Sequence, residues 1–435
     1  MAPSRYTHLP SFMSLLVPSL AIQRQCNSLA LSPLLPFEGG ICLPPIDDLT
    51  EADGEKGANY SPWTETPYCL YPRSIGSKQK FCVYTSSVFN NNAGISIVTT
   101  PEAAASLANA AGNFLPAWRN RGHLAHGGEL TAEQEAGLPY KVVAMPGKGK
   151  GVIATRRIAQ FEHIMVSYAA MIVDNEFIPR EGDGEQEGDP APVESWRLFQ
   201  RALDQLTDKA RFHNLATSRG KDVHVVEDVC RTNAFGLTIM DRKLKGLYPE
   251  ISRFNHGCDP NAFPQYRSRD LSMTAVATRD IEPGEEITIS YLPLGMPSHH
   301  RRRNLFNWGF NCTCSLCTAS PAVQHESDQR RERLADLYFA MKELSVTHKQ
   351  LLEMTDQFLA LIHAEHLETR FGEYFQAIIM FYYNRKDLGS ALKYARLSLK
   401  YSEAFADPDG GFCQSLRDDI GYLEKLIAME GETGP

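Results

Sequence analysis

The hydrophobic period of this chain changes once, and that change limits the folds open to it. Between residues 140 and about 318, apolar residues come in short runs divided by Gly and Pro turns, which predicts a compact β-rich domain. Strands are expected at 141–144, 151–154, 164–173, 272–277 and 287–291, the last two flanking the turn Glu282-Pro283-Gly284-Glu285. Helical content is expected at 193–206 and before Ile251. Beyond His325, Leu334, Leu337, Tyr338, Met341 and Leu344 recur at i, i+3, i+4, i+7 and i+10, the stripe of an amphipathic helix. Residues 374–383, a break at 384–389, and then Ala391, Tyr394, Ala395 and Leu399 on one face predict a helical hairpin. That hairpin is either a tetratricopeptide-like repeat or ordinary helix packing. Strands followed by helices place the chain in the α+β class.

The first 139 residues are rich in Pro, Ser, Gly and Ala, and are expected to be an extension that is largely loop. Two stretches depart from this. Residues 94–98 alternate as a strand that would join the following domain, and the Ala-rich segment 101–111 predicts a short helix. Residues 181–190 (EGDGEQEGDP) hold five acidic side chains and no basic one, and predict a loop. It is either a solvated linker or an acidic lip that attracts a Lys/Arg-rich peptide.

The formal charge of −8 and pI of 5.9 argue against holding nucleic acid by the overall field, and fit a basic partner better. No apolar run reaches the roughly 18 to 20 residues of a membrane span, so a soluble protein is expected. The apolar stretch 12–22 resembles a signal-peptide core, but Pro18 interrupts it, which leaves secretion as the lesser alternative. Of the ten cysteines only one group is crowded: Cys312, Cys314 and Cys317, spaced C-x-C-x-x-C. Thiols at that spacing converge on one point, so they read as metal ligands more readily than as disulfide partners.

Two motifs carry the chemistry. Ser252-Arg253-Phe254-Asn255-His256-Gly257-Cys258-Asp259-Pro260-Asn261 is followed by Gly284-Glu285-Glu286-Ile287-Thr288-Ile289-Ser290-Tyr291, and together they resemble the NHxCxPN and GEEhxxxY signatures of SET-domain methyltransferases. Gly147-Lys148-Gly149-Lys150-Gly151-Val152 stands where that family has its first cofactor loop; glycines there let backbone approach a ligand closely. A phosphate loop is the rival reading, but no Lys-Ser or Lys-Thr closes it. Trp308-Gly309-Phe310-Asn311-Cys312 through Cys317 resembles the post-SET segment of the SET and MYND branch. Gly257 departs from the usual Ser, Ala234 departs from the Asn-Ser-Phe stretch beside Asn233, and no Cys/His array of a MYND finger lies between residues 174 and 229.

The resemblance implies a SET domain at 140–300 with an inserted region at 174–229, a post-SET segment at 301–318, and a helical domain at 325–430. It implies a protein-lysine N-methyltransferase that uses S-adenosylmethionine on histone or other protein lysines. By the same likeness Tyr291 is catalytic. Lys148, Gly149, Lys150, Asn233, Ser252, Asn255, His256, Tyr291, Trp308 and Phe310 bind the cofactor or line the lysine channel. Cys258 joins Cys312, Cys314 and Cys317 around a structural zinc. The partner is a protein with an exposed lysine, the compartment the nucleus and/or cytoplasm, and the chain is expected to be a monomer. The alternative is an inactive SET fold that binds peptide or cofactor as a scaffold, and a secreted, disulfide-bonded protein is a third.

Overall fold

The computed structural model describes residues 62–71, 79–110, 135–177, 191–215, 224–239, 242–341, 343 and 345–432. The apolar stretch 12–22, the acidic segment 181–190 and Leu344 lie outside the described residues. Strands β1 (Tyr68–Leu70), β2 (Phe81–Ser86) and β3 (Ile95–Thr99) come first, followed by β4 (Tyr140–Met145), β5 (Gly149–Ala154), β6 (His163–Tyr168) and β7 (Met171–Asp174). The hairpin β8 (Ala234–Ile239) and β9 (Arg242–Leu247) precedes β10 (Asn255–His256), β11 (Ala262–Arg267), β12 (Ser272–Ala277) and β13 (Glu286–Ile289). They form three sheets, ordered β1-β2-β3-β7-β9-β8, β10-β13-β5-β4 and β11-β12-β6.

Strands β2, β3 and β7 of the six-stranded sheet are buried on both faces and read as largely apolar runs, whereas β1, β8 and β9 are partly exposed. In β2, Cys82 and Tyr84 enter the main β core, whereas Phe81 and Val83 face a second core. That second core is built with Leu198, Phe199, Ala202 and Leu203 of α2 (Ala191–Gln205), the helix expected at 193–206. The short helix expected at 101–111 is α1 (Pro101–Ala110), and β3 joins the later domain by parallel pairing with β7. Cys69 and Cys82, opposed across β1 and β2, form a disulfide.

Two expectations are corrected. The single strand at 164–173 is two strands in different sheets: Ala169 N–H donates to Leu271 O and Ala170 N–H to Leu247 O, so the chain changes sheets between them. An unbroken apolar run carries no mark of such a switch, because both halves are buried. The helical content expected before Ile251 lies further upstream, in α3 (Lys209–His213) and α4 (Val225–Asn233). The β8–β9 hairpin intervenes, and only the 3₁₀ turn Ile251–Arg253 is helical at that point. Antiparallel pairing of β9 with β7 decides the conformation of RKLKGL, whose own propensity favours no strand.

The C-terminal part is helical as the period change predicts. After α5 (Ser298–Asn307) come α6 (Pro321–Ala340), α7 (His348–Ala364), α8 (Phe371–Asn384), α9 (Leu388–Phe405) and α10 (Gly411–Glu432). Leu334, Leu337 and Met341 are buried in its core with Tyr338 packed alongside, and α8 and α9 form the expected hairpin. Lys386 turns the chain at φ +60°, and the Asp387 carboxylate caps α9 by accepting from Ser390 N–H. A buried ionic cluster joins this domain to the β-rich one: Glu365 accepts from Arg330 Nε at 2.5 Å, Arg331 Nε at 2.6 Å and Ser327 Oγ at 2.6 Å. Arg331 Nη1 also donates to Met296 O at 3.0 Å. Removing one partner strands the other charges in a dry site, so Glu365→Gln is expected to cost about 3 kcal/mol. Urea unfolding of the variant measures this; an unchanged midpoint would mean that the junction does not depend on the cluster.

Candidate active site and thiolate centre

Strand β10 has only two residues, yet it joins the two motifs. It pairs in parallel with β13, Asn255 opposite Thr288 and His256 opposite Ile289. The last Asn of the first motif fastens this pair with both ends of its amide. Asn261 Nδ2 donates to Glu286 O at 2.9 Å and Glu285 Oε1 at 3.0 Å, and its Oδ1 accepts from Thr288 N–H at 2.8 Å. Gly257 suits the same proximity: a Cβ there would lie 2.7 Å from Thr288 Oγ1, which would have to turn aside.

Around this joint sits a polar cluster. Glu286 accepts from Asn255 Nδ2 at 2.9 Å and from Lys148 Nζ at 2.8 Å, so the glycine-rich turn is tied to both motifs. Gly147 and Gly149 have φ of +73°, a conformation in which a side chain is strained, and Gly149 has open space where a Cβ would stand. At Gly151 a Cβ would meet Asn255 Nδ2 at 2.7 Å and Met145 Sδ at 2.1 Å. Lys150 is exposed and forms no hydrogen bond or ion pair among the described residues. Ser252 Oγ donates to Tyr248 O at 2.9 Å and to Asn233 O at 3.1 Å, which links the end of α4 to the first motif. The Asn233 side-chain N–H groups are directed to Leu215 O and Val229 O of the insert and to Thr232 Oγ1 of α4.

Tyr291 lies beside the Asn-His pair. Its backbone N–H donates to His256 Nδ1 at 3.0 Å, which assigns the imidazole proton to Nε2; that nitrogen faces Cys258 Sγ at 3.3 Å. Burial lowers the His256 pKa to about 4, against an opposing effect of Cys314 and with help from Arg301, so the ring is neutral. The Tyr291 hydroxyl donates to Phe254 O at 2.8 Å, and burial, then Glu286, pushes its pKa up to about 12. Ring centroids of Trp308, His256 and Phe310 lie 5.1, 5.3 and 6.3 Å from that of Tyr291, and Phe310 is 6.0 Å from His256. Both Trp308 and Phe310 follow α5, whose end is turned by Gly309 at φ +77°.

Cys258, Cys312, Cys314 and Cys317 converge, with all four sulfurs within 4.8 Å of one another. Cys258 Sγ is 3.9 Å from Cys312 Sγ and 3.5 Å from Cys317 Sγ. Four thiolates placed tetrahedrally around a metal at about 2.3 Å are about 3.8 Å apart, so this donor set fits a closed, soft-metal site. Crowding also splits the thiols: hydrogen bonds from Cys258, Cys312 and Cys317 hold Cys314 well below its ordinary range, while those with Cys312, Cys314 and Cys317 push Cys258 up. The tautomer of His256 presents its N–H to Cys258 sulfur, the kind of outer contact that steadies a bound thiolate.

The fold therefore brings Lys148, Asn255, His256, Tyr291, Trp308, Phe310 and the four cysteines to one region. Ser252 and Asn233 are bonded to each other through the serine hydroxyl and Asn233 O, and their side chains form no hydrogen bond with this group among the described residues. Sequence reasoning did not assign roles to Glu286, Asn261 or the Phe254 carbonyl. The first two are motif letters, so their importance was signalled; a carbonyl leaves no signal in a sequence.

Residues 149–292, about a third of the chain, match the family model described as SET domain. The chain is 29% identical over 239 residues to histone-lysine N-methyltransferase set5 of Schizosaccharomyces pombe, covering 54% of this chain and 67% of that protein. It is 48% identical over 73 residues to human histone-lysine N-methyltransferase SMYD3, 17% of each chain, so that likeness is confined to a short segment. To histone-lysine N-methyltransferase ATXR2 of Arabidopsis thaliana it is 40% identical over 135 residues, 29% of this chain and 25% of that protein.

Elemental analysis of the purified full chain is expected to find one metal ion per chain, and Cys314→Ser to lose most of it. Full occupancy in the variant would remove this cysteine from the ligand set.

Proposed function

We infer that this chain, a member of the SET-domain protein-lysine methyltransferase family, transfers a methyl group to the side-chain amine of a lysine in a histone or another protein. What carries the reading is the Tyr291 phenol held against the Asn255-His256 pair by the β10–β13 joint, with the Tyr291 N–H to His256 Nδ1 bond linking the two motifs. S-adenosylmethionine, when bound, supplies an electrophilic methyl group on a sulfonium sulfur. The residues that would hold it are Asn255, His256, Lys148, Gly149, Lys150, Ser252, Asn233 and Phe310. The open space above Gly149 and the close approach of Gly151 to Asn255 support this, since side chains there would fill the cradle. The thiolate set fits zinc, a metal without redox chemistry, which would fix the post-SET segment carrying Trp308 and Phe310.

The attacking amine must be neutral, yet a lysine in water has a pKa of about 10.4. Tyr291, Trp308 and Phe310 remove water from around it, which disfavours the ammonium form and aids loss of its proton to solvent. Tyr291 is not the base: with its pKa near 12 it keeps its proton, and its hydroxyl, anchored on Phe254 O, orients and polarises. We propose the nucleus and/or cytoplasm as the compartment because the four converging thiols need reducing conditions to stay open to a metal, whereas the Cys69–Cys82 disulfide is a bond that favours the secreted alternative.

The test is transfer of labelled methyl groups to histones and extract proteins. Tyr291→Phe is expected to lower turnover by roughly a hundredfold, as loss of one well-placed polar group does, while calorimetry finds cofactor binding nearly unchanged. The rate should rise with pH as the substrate amine deprotonates and show no loss at pH 10, two units below Tyr291 ionisation. Cofactor binding without turnover on any substrate would favour the scaffold alternative.

A further inference from the structure

Helix α5, which ends at the Trp308 cap, carries a face that the reaction above does not use. His299, Arg302, Arg303 and Phe306 stand at i, i+3, i+4 and i+7, on one side of the helix. All four are exposed, and Phe306, at 75%, is more exposed than any other large apolar residue described. Arg301 and Leu305 are buried on the opposite side, which fixes this face outward. Among the described residues Arg302 is bonded only to Gln324 and Arg303 to nothing, so no carboxylate neutralises either. Elsewhere on the surface Arg156, Arg157, Arg279, Arg396 and Arg417 each pair with an Asp or Glu, while Arg201, Arg269 and Arg333 do not among the described residues; what sets Arg302 and Arg303 apart is that they are adjacent and beside Phe306. The local field is positive enough that His299 and Arg303 help burial to lower the pKa of His300. The patch is a local feature of a chain whose formal charge is −8.

We propose that this face docks an acidic stretch of the protein substrate next to the target lysine, with an apolar residue of that stretch against Phe306. The proposal rests on the methyl-transfer reading and names the substrate class for it. Its first support is position: the face ends two residues before Trp308, whose ring is 5.1 Å from that of Tyr291, so a peptide delivering an amine to Tyr291 passes the end of α5. Its second is size. From His299 to Phe306 the helix rises about 10 Å, the length of about three residues of extended chain. Its third is charge: two permanent guanidinium charges match two carboxylates. They are too few for a DNA duplex, which gains its affinity from many phosphate contacts and would meet a net negative protein. Arg302 also lines a cleft with Phe310, Cys312 and Cys317, so the face is continuous with the thiolate centre and with the Phe310 ring.

The full chain is offered matched peptides with a central lysine flanked by Asp/Glu, by Asn/Gln, or by Arg/Lys, and methyl transfer is measured at low and high KCl. Acidic flanks are expected to exceed amide flanks by about tenfold in kcat/KM, the combined effect of two exposed pairs, and the advantage should shrink in high salt. In the double variant Arg302→Glu/Arg303→Glu the ranking should reverse in favour of basic flanks. Equal use of the three peptides, or a basic preference in the natural chain, overturns the proposal. If neither these peptides nor histones and extract proteins are methylated, the methyl-transfer reading fails on its own. Docking is then decided by fluorescence anisotropy of the acidic peptide, where equal affinity for the natural chain and the double variant overturns it. A short DNA duplex that binds through the same arginines, while the peptides bind alike, assigns the face to nucleic acid and overturns it as well.

Discussion

The two-residue parallel pairing of β10 with β13 is the constraint on which the site depends. Isolated, so short a ladder would have no stability, and it persists because its surroundings leave the chain no other path. Asn261 satisfies three polar groups of the β13 segment, Gly257 lets Thr288 approach, and His256 accepts the N–H of Tyr291. Each contact is modest alone. Together they place a phenol, an imidazole and a carboxamide in one place, from segments about 35 residues apart in sequence.

The thiolate centre extends the same joint. Cys258 follows His256 by two residues, so a metal held by it and by the C-x-C-x-x-C group would tie the end of α5 to the first motif. Trp308 and Phe310 lie between α5 and that group, and their rings thus face Tyr291 and His256 because both ends of their segment are anchored. The helical domain reinforces this from outside: Arg331 links Glu365 to Met296 O, and Arg370 donates to Leu294 O, just beyond Tyr291. Electrostatics then follows burial. The imidazole is kept neutral and the phenol protonated, which suits the proposed role of holding and orienting an amine without exchanging protons with it.

Much of the fold was legible because local patterns and global structure agree. The amphipathic stripe at Leu334, Leu337 and Met341 became a buried helix face, and the break near Lys386 became the turn of a helical hairpin. Where elements are buried on both sides the signal failed. The run from Ile164 to Val173 concealed a change of sheet at Ala169 and Ala170. RKLKGL failed for a different reason: it is charged and half-exposed, and became a strand only through pairing with β7. The Cys69–Cys82 bridge was also hidden, since two cysteines 13 residues apart do not reveal that their strands are adjacent.

By itself the sequence determined which side chains are present for the chemistry: the Asn-His pair, the phenol after two glutamates, the glycine-rich turn and the spaced thiols. Motif spacing is a local property, and local properties survive in one dimension. Only the tertiary structure decided which of those groups meet and in what state. It assigned the His256 proton to Nε2, gave Glu286 both Lys148 and Asn255, and made Phe254 O the anchor of the Tyr291 hydroxyl. Hydrogen-bond partners and desolvation are set by what lies across space, and chain order carries no record of that.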